Sequence, residues 1–128
     1  MCYHMHMNRK AIAVDFLTMV SSADKVREAF SKYIHPDFYH HNAYFKGDRE
    51  TLLEEMEKNA KDFPGKTIQV LRALEDDDLV AVHCRVSGIS DNDWSLIHIF
   101  RFEGDKIIES WEASQEDIKD SPNSNGVF

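Results

Sequence analysis

Residues 96–113 read LIHIFRFEGDKIIESWEA, two runs of β-branched and aromatic residues on either side of Gly104-Asp105. Such runs around a short glycine-containing break predict an antiparallel hairpin. Side chains alternate along a strand, so Trp94, Leu96, His98, Phe100 and Phe102 share one face, while Ser95, Ile97, Ile99 and Arg101 share the other. His98 therefore sits on an aromatic face. If Phe102 pairs with Ile108, then Phe100 lies opposite Ser110 and His98 opposite Glu112. The same register sets Arg101 against Glu109 on the other face, an opposite-charge pair that supports it. A strict two-residue loop pairs His98 with Trp111 instead, so the His98–Glu112 pair requires a three-residue loop or a bulge. Burying an unpaired carboxylate is costly, so Glu112 is expected at a pocket mouth, against a histidine, or neutralised.

Upstream, KTIQVLRALE and DLVAVHCRVSG have the same strand character, and the breaks at Asp76-Asp77 and Ser90-Asp91-Asn92 are short and polar. Short breaks make consecutive strands antiparallel neighbours. With Asp91-Asn92 as a two-residue turn, His83 falls opposite Phe100 and beside His98, so that two histidines and a carboxylate converge in one cavity. By that parity the outward face carries Ile97, Ile99, Val80, Val82 and Trp111, too apolar to stay wet, and a homodimer is expected to cover it.

The N-terminal half is helical. Ile12, Phe16, Met19 and Val20 recur at helical spacing; a second helix starts at Ser22 and buries Val26, Ala29, Phe30 and Tyr33; a third follows Asp48 with Leu52, Leu53, Met56, Ala60 and Phe63 inward and stops at Pro64-Gly65. Between the second and third, HPDFYHHNAYFKGD reads as a short strand ending at Gly47. Alternation splits its YHHN knot, Tyr39 and His41 pointing one way and His40 and Asn42 the other, with one pair facing inward. Helices first and a meander after is an α+β pattern.

The chain has 128 residues and is expected to be one domain, with about 1–9 and 116–128 as terminal extensions. Its 15 basic and 23 acidic residues give a net charge of −8, which repels nucleic acid and anionic membrane. No apolar run reaches membrane-spanning length, and MCYHMHMNRK lacks the apolar core of a secretory signal. Cys2 and Cys84 make neither a disulfide framework nor a CxxC metal motif, and a cytoplasmic setting is expected. His4 and His6 alternate in what reads as a disordered lead-in.

Taken together, the three helices and meander, the KYI..D.YHHNAYFKG segment, the DLVAVH strand, and IHIFRFEGDKIIESWEASQ with its SPNSNGVF tail resemble the SnoaL-like branch of the nuclear transport factor two superfamily. The resemblance runs from about Lys10 to Phe128 and is most specific in the closing hairpin. It implies a cone-shaped α+β fold, a highly curved sheet around a long helix, an internal pocket, and a dimer formed through the sheet. SnoaL-type polyketide cyclases perform an intramolecular aldol condensation without metal or organic cofactor, using a carboxylate on the last strand and a histidine on the strand before it. Matched by motif, these are Glu112 in SWEASQ, where Asp is usual, and His98 in IHIFRF. Ketosteroid isomerases of the same superfamily carry Asp at the positions of His98 and Asn42; Asn42 cannot serve as a base, so that chemistry does not transfer.

The expected function is thus cofactor-free acid/base chemistry next to a carbonyl: aldol-type cyclisation, isomerisation or dehydration. Glu112 is the expected base and His98 its partner or the proton donor. His83 and His41 are expected to orient the carbonyl of a small apolar ligand, in a pocket shaped by Phe16, Tyr39, Asn42, Trp94 and Phe100. No Gly-rich phosphate loop implies a nucleotide. A non-catalytic binding pocket is the main alternative, and a metal site of His41, His83, His98 and Glu112 a third.

Overall fold

A computed structural model describes residues 8–128, which leaves Cys2, His4 and His6 outside the described residues. Helix α1 spans Arg9–Met19, and the Asn8 side chain caps it by accepting from the Ala11 N–H. A 3₁₀ turn, Ala23–Lys25, leads into α2, Val26–Tyr33. Helix α3 covers Arg49–Asp62; Asp48 accepts from the Thr51 N–H at its start, and its last N–H bond runs from Phe63 to Asn59 just before Pro64. The starts of α1 and α3 thus each have a short polar side chain satisfying an otherwise orphaned backbone donor, whereas α2 continues from the 3₁₀ turn without a side-chain cap. None of the described helices is long and apolar enough to cross a membrane.

Five strands follow the expected pattern: β1 (Ile34–His40), β2 (Thr67–Asp76), β3 (Leu79–Ser87), β4 (Trp94–Glu103) and β5 (Lys106–Glu116). They form one sheet in the order β1-β5-β4-β3-β2. Strands β2 to β5 are the antiparallel meander; β1 closes the far edge, parallel to β5. The β2–β3 turn sits one residue later than expected, at Asp77-Asp78, because Asp76 still pairs with Leu79.

The helices cover one face of the sheet. Phe16 meets Phe30 and Phe100 edge-on at 5.6 and 6.0 Å, tying α1 to α2 and β4. Fully burying one such ring is worth about 1.5 to 3 kcal/mol. Val80, Val82 and Cys84 are fully buried beneath this layer. Val80 and Val82 were expected on the outward face. The reason for the difference is the β3–β4 connection, which runs over residues 88–93 rather than being a two-residue turn. His83 consequently pairs with Ile97, not Phe100, a shift of three residues. An odd shift exchanges the faces of a strand, so β3 presents Val80 and Val82 to the core and Ala81 and His83 outward.

The β4–β5 hairpin turns on two residues, since Glu103 pairs with Lys106 and Phe102 with Ile107, not with Ile108. Ile108 is then left over as a bulge, and beyond it Arg101 faces Glu109, Phe100 faces Ser110 and His98 faces Glu112. The bulge restores the pairing that a plain two-residue turn would have lost.

Candidate functional site

A cavity of about 370 Å³ lies between the helices and the inner face of the sheet, within the usual range for small-molecule pockets. It narrows to an inner end of about 20 Å³ walled by Phe16, Phe38 and Phe100. Asn42, Leu52, Met56, His98 and Glu112 line both parts.

His98 is the most enclosed polar group there. Its side chain is only 9% exposed, and its ring stacks on Phe100 with centroids 5.4 Å apart. Among the described residues no protein group hydrogen-bonds either ring nitrogen, and Glu112 Oε2 lies 3.9 Å from Nδ1. Burial pushes the imidazole below its ordinary value, and the Glu112 carboxylate opposes this without reversing it. A ring held neutral keeps one N–H to donate and one nitrogen to accept.

Glu112 is directly across from His98, its side chain 30% exposed at the cavity wall. Its Oε1 accepts from the Asn42 side-chain amide. Asn42 is oriented from two sides: its Oδ1 takes the Tyr44 N–H at 2.9 Å, and its own N–H goes to His40 Nδ1 at 3.1 Å. With Oδ1 so engaged, only the NH₂ group can meet the carboxylate. His40 is fixed in turn through Nε2, 2.9 Å from the Lys46 carbonyl; since Nδ1 accepts, Nε2 donates. The chain from Lys46 through His40 and Asn42 therefore aims one carboxylate oxygen and leaves Oε2 open toward the cavity.

Four expected pocket residues, Tyr39, His41, His83 and Trp94, lie off the cavity wall. Tyr39 and His41 point to the outer face of the sheet, where His41 Nε2 is 2.8 Å from Glu109 Oε2 and its ring stacks on Trp111 at 5.1 Å. Arg101 completes this cluster, donating to Glu109 Oε1 at 2.7 Å and to the Tyr39 hydroxyl at 3.1 Å. Burial raises the Glu109 carboxyl, but the bonds from His41, Arg101 and Tyr39 outweigh it and hold it below the ordinary carboxylate range. The pair of YHHN that faces inward is His40 and Asn42. His83 is also outside, bonded to Ser95 Oγ at 2.7 Å and to Arg72, because of the odd register shift at β3. The four residues considered as metal ligands thus do not converge. Trp94 keeps the inward parity but lies at the end of β4, its Nε1 donating to Ser90 Oγ at 3.0 Å, off the cavity wall.

Sequence patterns passed over several wall residues. Met56 was read as core, while Asn59 on α3 and Lys66 ahead of β2 carried no signal, because neither parity nor motif marks them. Lys66 Nζ donates to Asn59 Oδ1 at 2.6 Å, and burial lowers the ammonium below its ordinary value. Cys84 is buried on the inner face of β3, its thiol pushed up to about 11 by burial, which keeps it unreactive.

Three helices on one face of a five-stranded sheet, with His98 and Glu112 on the wall of the cavity between them, make an α+β fold of the nuclear transport factor two-like type. Within that class the chain belongs to the SnoaL-like domain family, whose model matches residues 13–110. Similar solved structures include IdmH of Streptomyces antibioticus, a candidate polyketide cyclase, at 19% identity and TM-score 0.69 over 85% of this chain and 93% of that one. AclR of Streptomyces galilaeus, a candidate hydroxylase, matches at 23% identity and TM-score 0.67 over 84% and 78%. A nuclear transport factor two-like protein of unknown function from Cytophaga hutchinsonii matches at 11% identity and TM-score 0.71 over 88% and 94%. These likenesses speak to fold. No curated protein sequence matches the chain closely enough to count as a relative.

Proposed function

We propose that the protein is a small-molecule enzyme that performs cofactor-free acid/base chemistry at a carbon next to a carbonyl, an aldol-type cyclisation, isomerisation or dehydration. The observation that carries this is an enclosed, neutral imidazole, without a hydrogen bond among the described residues, facing a carboxylate whose Oε1 is already held by Asn42. Glu112 Oε2 takes the α-proton while the His98 N–H donates to the carbonyl oxygen, where negative charge develops. The resulting enolate attacks a second carbonyl of the same ligand, and the new alkoxide recovers the proton from Glu112. Atoms and charge balance without metal or redox partner. The apolar inner end, walled by Phe16 and Phe100, limits water around the enolate and strengthens both contacts.

The test is Glu112→Gln, which keeps shape and hydrogen-bonding reach but removes the proton acceptor. Against a panel of β-keto esters and polyketide-like ketones, turnover is expected to fall by about 10²-fold or more with binding little changed. Equal turnover in both proteins removes Glu112 as base. Ligand binding without turnover in either protein leaves the alternative, a non-catalytic binding pocket.

The proposal includes a homodimer through the outer sheet face, where Ile97 and Ile99 are 45% and 38% exposed beside Leu79 at 38%. Apolar residues grouped on one sheet face favour being covered.

A further inference from the structure

Among the described residues that line the cavity, Lys66 is the half-buried cation. Its position is built from both ends. At the backbone, Gly88 with φ +88° packs flush against it: a Cβ on Gly88 would lie 2.6 Å from the Gly65 carbonyl oxygen and 3.1 Å from Lys66 Cα. At the tip, Asn59 Oδ1 accepts from Nζ at 2.6 Å. Asn59 is neutral, and no carboxylate among the described residues reaches ion-pair distance of Nζ. An ammonium has three protons to donate, and one is satisfied here.

Burying a charge without a counter-charge costs free energy, and burial does lower this ammonium. A lysine kept half-buried under that penalty, facing a cavity, is complementary to an anion brought by the ligand. The other charged wall residues do not fill this role. Lys58 and Asp62 are exposed at the rim, where solvent screens them, and Glu55 is half-buried on α3 without reaching Lys66. A single inward cation in a protein of net charge −8 fits one negative charge rather than a phosphate dianion.

We infer that Lys66 selects the ligand by binding a carboxylate carried at the end remote from the carbon that reacts at Glu112. The substrate class is accordingly a keto acid: carbonyl toward His98, carboxylate on Lys66, apolar body along Leu52 and Met56. The assignment of which end reacts rests on the function proposed above; the preference for an acid does not, and can be read by binding alone.

The experiment compares 5-oxo-5-phenylpentanoate with its methyl ester, by calorimetry at low ionic strength and neutral pH, on the wild type, Lys66→Met, Lys66→Arg and Glu112→Gln. A hydrogen bond to a charged partner is worth about 1.5 to 3 kcal/mol, so the acid should bind the wild type about tenfold to a hundredfold more tightly than the ester. Lys66→Met should abolish the preference by weakening the acid alone, and Lys66→Arg should keep part of it. Circular dichroism confirms that each variant is folded. Equal affinity for acid and ester in the wild type, no measurable binding of the acid, or parallel loss of both compounds in Lys66→Met overturns the inference. So does a borohydride-trapped adduct on Lys66, which would make the amine a nucleophile. Glu112→Gln separates the two claims: an acid preference that survives there while no ketone turns over in wild type supports Lys66 and refutes the proposed reaction. Turnover that depends on Glu112 but ignores the carboxylate does the reverse.

Discussion

Replacing His98 with phenylalanine should make the protein more stable and inactive. The ring is 9% exposed, stacked on Phe100, and without a hydrogen-bond partner among the described residues. A buried polar group left unpaired costs about 1 to 3 kcal/mol, and access to the cavity puts His98 in the lower part of that range. Phenylalanine keeps the aromatic stack and removes the penalty; its extra volume can enter the adjoining cavity of about 370 Å³ instead of overpacking the core. The expected gain is about 1 kcal/mol at neutral pH, or about 3 to 5 °C in Tm for a domain of this size. The pH dependence has a definite sign. The folded-state value lies below the ordinary 6.5, so as pH falls below about 6.5 the unfolded chain takes up this proton first and stability is lost. Above that pH the contribution is constant. Wild type should therefore lose stability on acidification more steeply than His98→Phe, by at most about 1.4 kcal/mol per pH unit. Urea unfolding between pH 5 and 8 reads this directly, and turnover should fall by about 10²-fold or more in the same variant. A variant less stable than wild type at pH 7, or one retaining the full acid slope, would mean that the imidazole is held by a structural partner rather than waiting for a ligand.

Two further outcomes test the scaffold. Gly88→Ala places a Cβ 2.6 Å from a backbone oxygen at φ +88°, so it should destabilise by about 2 kcal/mol or more in denaturant titrations and weaken acid binding by displacing Lys66; an unperturbed variant would contradict the role given to that contact. Ile97→Glu sets a charge at the centre of the outer face and should convert a dimer to a monomer in light scattering at micromolar concentration, with the cavity unaltered; a monomeric wild type refutes the dimer.

Much of this was legible along the chain because it depends on local rules. Helix periodicity and caps depend on residues a few places apart, so α1, α2 and α3 fall close to where spacing, Asp48 and Pro64 indicate. Alternation within a strand is equally local, which is why His98 could be assigned to the face of Phe100 and Phe102. The charge pair of Arg101 and Glu109 marked the correct register beyond the bulge. The split of YHHN was local too, but which pair turned inward was not: β1 pairs in parallel with β5, a strand far along the chain, and that contact turns Asn42 to Glu112.

The sequence by itself determined the α+β class and the order of the elements, and the Arg101–Glu109 pair favoured the facing of His98 and Glu112, which the bulge at Ile108 then fixed. Tertiary structure alone decided which residues joined them. The loop at 88–93 is held by long-range contacts, among them Gly88 against Gly65 and the Asp117 N–H on the Asp93 carbonyl, and its length sent His83 outward with Arg72 and Ser95. Lys66 entered the site only because α3 ends beside the start of β2 and Asn59 reaches its amine. Parity is a property of one strand, whereas the join between strands depends on bulges and loops whose geometry is fixed by distant packing.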